Sequence, residues 1–149
     1  METAYEPALQ DDVAELLEMM EDFYAEEGIT FVRSKVQRLL QVLLEQSAAG
    51  RILVVRGKGF LCAYCIVTFG FSMEFGGRFL LLDELFVRHG ERGTGLGNEA
   101  LRAAERVCRQ EGIDAVRLEV ARSNTRALAL YEKAGFISHG REFLTCIYN

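Results

Sequence analysis

The stretch RFLLLDELFVRHGERGTGLGNEALRAAERVCRQ, residues 78–110, constrains the chain more than any other. It opens as an apolar run of strand length (78–87) and passes through a loop with glycines at 93, 95 and 97. It continues as a helix with Leu96, Ala100, Leu101, Ala104, Val107 and Cys108 on one face. A helix that is apolar along one stripe must lie back on a layer of strands, so the chain is read as α/β. The first amides of a helix lack internal partners and carry the positive end of its dipole. Glycines just before them let an anion come close to the backbone, and Arg92 adds a charge that suits phosphate. This junction is therefore read as an anion-holding site.

The remaining segments alternate in the same manner. Thr3 to Ala8 predicts a short strand. Asp11 or Asp12 caps a helix through Val13, Leu16, Leu17, Met20, Phe23 and Tyr24, which Gly28 ends. Ser34 is expected to cap a second helix through Val36, Leu39, Leu40, Leu43 and Leu44, stopping near Gly50. ILVVR (52–56) and FLCAYCIVTF (60–69) predict a hairpin around Gly57-Lys58-Gly59, and Gly70 to Gly77 a loop. AVRLEVA (115–121) predicts a strand. Asn124 caps a last helix that runs to Ala134 and stops at Gly135, and FISHGREFLTCIY (136–148) predicts one or two final strands. The sum is one domain, 1–149, with a mixed, mostly antiparallel sheet of six to seven strands and about four helices.

Composition narrows the classes. Half of the 149 residues are hydrophobic and 26% are charged, as in a globular chain. No apolar run approaches the roughly 18 residues that span a bilayer. METAYEPALQDD carries acids where a secretion signal carries basic residues, so a cytoplasmic location with free thiols is expected. In FLCAYCIVTF, Cys62 and Cys65 fall on opposite faces of a regular strand. They are read as core cysteines, and no metal is expected. The net charge of −5 is uneven: residues 1–32 hold ten of the 22 acids and no Lys or Arg, so the remaining 12 acids and 17 basic residues leave +5. Such asymmetry suits one anionic and one cationic ligand, although a solvated acidic helix explains the first half equally well. No basic stripe with interleaved aromatics suggests nucleic acid.

The glycine loop admits three readings. A P-loop needs GxxxxGK[ST], which is absent. Gly95-x-Gly97-x-x-Ala100 matches a dinucleotide fingerprint, with Glu119 about twenty residues on, but too little chain follows to build the strand–helix units of such a domain. The third reading is a resemblance. Arg92-Gly93-Thr94-Gly95-Leu96-Gly97 fits the Q/R-x-x-G-x-G/A signature of the GCN5-related N-acetyltransferases. LDELFV precedes it at the family's distance, and NTRALALYEKAGF (124–136) resembles the second signature, an asparagine-headed helix with a tyrosine followed by Gly-Phe. The order of elements agrees over nearly the whole chain.

The resemblance implies acetyl-CoA as co-substrate. The amides of Arg92, Gly93, Thr94, Gly95, Leu96 and Gly97 would take its pyrophosphate. Its arm would run along Leu85, Phe86 and Val87 as an added strand, in a gap between splayed strands 78–87 and 115–121. Asn124 and Ala127 would also touch it, although capping alone accounts for Asn124. Lys133 and Arg126 are further candidates for coenzyme phosphates, whereas Arg88 and His89 read as a solvated loop. Tyr131 matches the family's proton donor to the departing thiolate. An amine must lose a proton before it attacks, and the base is Asp83 or Glu84. Alternation places Asp83 with Leu81, Leu85 and Val87, and Glu84 with Leu82 and Phe86, unless a bulge intervenes. Position 83 matches a glutamate of the spermidine/spermine branch, whose strand LDELFV resembles, so Asp83 is favoured slightly, acting through water. No serine or cysteine nucleophile is indicated, so the amine should attack directly.

The acceptor is expected at EMMEDFYAEEGITF, where Tyr24 and Glu27, with Asp83 and Glu84, suit a small cationic amine such as a polyamine, diamine or amino sugar. The rivals are a protein N-terminus or lysine as acceptor, and an acetyl-CoA sensor or interaction module without turnover. A homodimer through EFLTCIY is expected by analogy with the family.

Overall fold

A computed structural model of the chain describes residues 4–148. It comprises two compact units, 1–119 and 120–149. The first holds five strands: β1 (Tyr5–Pro7), β2 (Gly50–Arg56), β3 (Leu61–Ser72), β4 (Gly77–Val87) and β5 (Val116–Leu118). They form one sheet in the order β1-β2-β3-β4-β5, antiparallel except for the parallel pair β4–β5. Helices α1 (Val13–Glu27), α2 (Arg33–Glu45) and α3 (Leu96–Glu111) belong to this unit, and α4 (Thr125–Lys133) to the second.

The sheet is buried on both faces. Ala100, Ala103, Ala104 and Val107 of α3 pack with Leu80, Leu82, Cys65 and Val67. Leu16, Leu17, Met20, Val36 and Leu40 of α1 and α2 pack with Val54, Tyr64, Ile66 and Phe86. Each large side chain removed from water contributes ~1.5–3 kcal/mol, which the apolar runs of β2 and β3 supply to both layers. Gly28 closes α1 at φ 68°, and Asn124 caps α4 by accepting from the Ala127 amide at 3.1 Å. Both follow the sequence reading.

Several expectations change. Ser34 is not a cap: α2 starts at Arg33 with Val32 before it, a start set by the burial of Val36 and Leu40. The 70–77 loop contracts to a turn, because β3 runs on to Ser72 and pairs there with Gly77. The strand of 115–121 keeps only Val116–Leu118. Residues 136–148 form no strand, so the sheet has five strands among the described residues rather than six or seven. Thr3 lies outside the described residues. Cys62 and Cys65 are buried in the same cluster under α3. Cys62 is skipped in the pairing of β2 with β3, where Val55 pairs with Ala63 and Arg56 with Leu61, and this irregularity breaks the alternation.

Candidate active site

The pairing of β4 with β5 covers only Leu80 to Leu82, opposite Val116 to Leu118. Beyond Leu82, β4 runs five more residues, still paired with β3 on its other side. The Arg88 amide donates to the Cys62 carbonyl at 3.0 Å, toward β3. Backbone alternation therefore turns the amides of Leu85 and Val87 toward the edge that β5 leaves open. The pairing stops where β5 itself ends, at Leu118.

The glycine loop follows. Gly93 and Gly95 adopt φ of 81° and 89°. A Cβ on either would meet nothing within 4 Å, so the requirement is conformational rather than spatial. Gly95 precedes α3 without any side-chain cap, and the first bond into the helix runs from the Glu99 amide to the Gly95 carbonyl at 3.0 Å. The amides of Leu96, Gly97 and Asn98 thus enter no helical bond and suit an anion. Two contacts fix the frame: Thr94 Oγ1 donates to the Glu91 carbonyl at 2.7 Å, and Tyr5 Oη to the Leu96 carbonyl at 3.0 Å.

The Arg92 guanidinium has other partners. Its Nε donates to the Val87 carbonyl at 2.8 Å, its Nη2 reaches both oxygens of Glu26 at 3.1 Å, and it stacks over Phe86 at 5.5 Å. It ties the end of α1 to the loop, which leaves the backbone amides as the groups there that suit an anion. Glu26 also meets His89 Nε2 at 2.6 Å. Arg88 is not simply solvated, since it pairs with Glu15 at 2.9 Å and donates to the Leu61 carbonyl at 2.6 Å.

Strict alternation fails on β4. Glu84 pairs with Ile66 and Leu82 with Val67, so Asp83 is the extra residue of a bulge. Leu80 and Leu82 before it, and Leu85 and Val87 after it, all pack on the α3 side. Glu84 turns to the α1 side, where Tyr24 Oη donates to its Oε2 at 2.8 Å and Tyr64 Oη to its Oε1 at 2.9 Å. Burial raises the Glu84 pKa, the two phenol bonds oppose that rise, and Asp83 adds to it. Asp83 is exposed and makes no side-chain hydrogen bond or ion pair among the described residues. Partial desolvation raises its pKa, and the charge of Glu119 adds to the effect.

Of the expected acceptor residues, Tyr24 therefore reaches Glu84. Glu27 is exposed at the end of α1, and its neighbour Glu26 is the acid that engages the loop. In the second unit, Tyr131 lies half-buried on α4, edge-on to Phe136 with centroids 5.8 Å apart, and burial raises its pKa. The sequence reading missed Tyr64, which is 0% exposed, and Glu26. A polar-tipped ring in the middle of an apolar strand was the only signal for Tyr64, because a buried phenol requires a partner.

The sequence model of the acetyltransferase (GNAT) family matches residues 15–136. Among solved structures, an integron cassette protein from the mobile metagenome of Cole Harbour Salt Marsh is 32% identical with a TM-score of 0.85. The match covers 98% of this chain and 91% of that one. A possible acetyltransferase from Clostridium difficile 630 is 22% identical at TM-score 0.80, with coverages of 97% and 95%. A predicted acetyltransferase from Clostridium acetobutylicum, solved with acetyl-CoA, is 15% identical at TM-score 0.81, with coverages of 95% and 94%. Among curated proteins, none matches significantly.

Proposed function

Because the chain belongs to the GNAT family and is an N-acetyltransferase, we propose that it transfers the acetyl group of acetyl-CoA to a small cationic primary amine. Polyamines, diamines and amino sugars fit this class. The observation that carries the reading is the junction at Glu84 and Leu85. The Leu85 amide faces the open edge, while the preceding residue holds a carboxylate on the α1 side.

The residues fit the co-substrate. The uncapped amides at the start of α3 suit its pyrophosphate, and the amides of Leu85 and Val87, which β5 leaves unpaired among the described residues, suit its arm as an added strand. Asn124 and Ala127 are proposed to meet the same arm. The Leu85 amide is proposed to polarise the thioester carbonyl as negative charge develops on its oxygen.

Glu84 is proposed as the proton acceptor in preference to Asp83, because its carboxylate is oriented by two phenols and partly desolvated. Asp83 and Glu27 then contribute negative charge for the ammonium. Once one N–H proton has left, the nitrogen lone pair forms the C–N bond and the carbonyl π pair moves to oxygen. Collapse breaks the C–S bond, and the thiolate takes a proton from Tyr131, which recovers one from the second N–H. The raised Tyr131 pKa keeps its phenol protonated and able to donate. Burial likewise raises the thiols of Cys62, Cys65 and Cys108, so none supplies the thiolate an acyl-enzyme would need.

Calorimetry with CoA, followed by thiol release against a diamine, a polyamine, an amino sugar, a peptide N-terminus and neutral amines, tests this. Cationic small amines should exceed neutral ones by about tenfold or more in kcat/KM, the equivalent of ~1.4 kcal/mol. Turnover confined to neutral or acidic amines overturns the acceptor class. CoA binding without turnover of any amine overturns the transfer reading.

A further inference from the structure

We propose that Tyr24 relays the amine's proton to Glu84 and that Tyr64 holds Glu84 in the receiving orientation. This rests on the transfer reading above. Both oxygens of one carboxylate are engaged, Oε2 by Tyr24 at 2.8 Å and Oε1 by Tyr64 at 2.9 Å. The two phenols differ in access. Tyr64 is fully buried, its ring 6.0 Å from Phe86 and 6.4 Å from Phe23. Tyr24 is half-buried on α1, edge-on to Phe31 at 5.5 Å.

A phenol has one donor and two lone pairs. The Tyr24 donor is committed to Glu84, so its oxygen is left as an acceptor, the role an ammonium N–H requires. In the step, the N–H bond breaks and that proton joins the Tyr24 oxygen as the Tyr24 O–H proton passes to Glu84 Oε2. The nitrogen keeps its electron pair, Tyr24 ends as it began, and Glu84 is protonated. Burial and Glu84 raise the Tyr24 pKa, so the phenolate is not a stable stop and the two protons move together. The titratable groups acting on Glu84 are Tyr24 from α1, Tyr64 from β3 and Asp83 from its own strand. Tyr64 meets no substrate in this scheme and is a positioning residue.

The test is thiol release from acetyl-CoA for the unaltered chain, Tyr24→Phe and Tyr64→Phe, across primary amines of graded basicity. Tyr24→Phe should lower kcat/KM by about 10²-fold for amines that arrive as ammonium, and by only a few-fold for weakly basic amines already neutral at the assay pH. Tyr64→Phe removes one bond that favours the carboxylate. It should shift the acidic limb of the pH profile upward, with a loss that does not depend on amine basicity. A Tyr24→Phe loss that is absent, or equal across the series, overturns the relay. A proton inventory in mixed H2O and D2O, run on the unaltered chain, does not depend on how the variants fold. It should be bowed, since two protons are in flight, and a linear inventory overturns the relay alone. A chain that binds acetyl-CoA but turns over no amine overturns the transfer reading, and the relay with it.

Discussion

The loop at 93–97 and the cluster around Glu84 are built from different materials. The loop works through the backbone: two glycines at positive φ and uncapped amides at the start of α3. Its side chains serve elsewhere, Arg92 on Glu26 and Thr94 on the Glu91 carbonyl. The cluster works through side chains from three elements, Tyr24 of α1, Tyr64 of β3 and Glu84 of β4. A backbone site tolerates change in most side chains but depends on conformation. A side-chain site can be abolished by altering a single atom. On the proposed function, one molecule would use a common device for the shared co-substrate and an individual one for the acceptor.

Exchanging the Glu84 carboxylate for an amide separates the two most sharply. Glu84→Gln should reduce kcat by about 10²- to 10⁴-fold. CoA affinity by calorimetry should stay unchanged, and a parallel fall in affinity would break the comparison. Next in size is the loop. Gly95→Ala forces a Cβ into the left-handed region at a cost of ~1–2 kcal/mol, or roughly tenfold in CoA affinity, with kcat at saturation retained. Equal losses in affinity and kcat would show that the loop also shapes the reacting centre.

Stability against pH gives a smaller signal with a definite sign. The Glu84 pKa is raised from its ordinary 4.5, so its contribution to stability is full below that value and is lost as pH rises through the folded pKa. Glu84→Gln should therefore gain thermal stability relative to the unaltered chain as pH rises from about 4.5 toward neutrality. A constant difference between the two melting curves would contradict a desolvated carboxylate. Smallest is Arg92→Ala. Its bridge to Glu26 is solvent-exposed, so unfolding free energy should fall by about 0.2–1 kcal/mol and CoA affinity by less than tenfold. A larger loss of affinity would return Arg92 to the phosphate site.

The same contrast decides what the sequence reveals. The loop is local: its glycines, the strand before it and the helix after it stand in one run of residues, and all were legible. So were Asn124 as a cap and Gly28 as a stop. The cluster is not local, since Tyr24 and Glu84 lie 60 positions apart. It also depends on a shift at Asp83 that alternation can allow for but not locate. The acids at 83 and 84 stood out as charges in an apolar strand, but the bulge, which the sequence could only allow for, decided which of them met a partner. Residues 136–148 have the composition of strands and form none, because pairing is a property of two segments and composition of one.

The bulge makes β4 two half-strands of opposite phase joined at a single residue. A β4 that ran through position 83 without the slip would pair Asp83 with Ile66 and turn over every side chain from 84 onward. The carboxylate would then sink beneath α3, and Leu85 would sit among the tyrosines. Register is thus a chemical variable here: a slip of one position decides whether the acid meets its phenols or a layer of alanines.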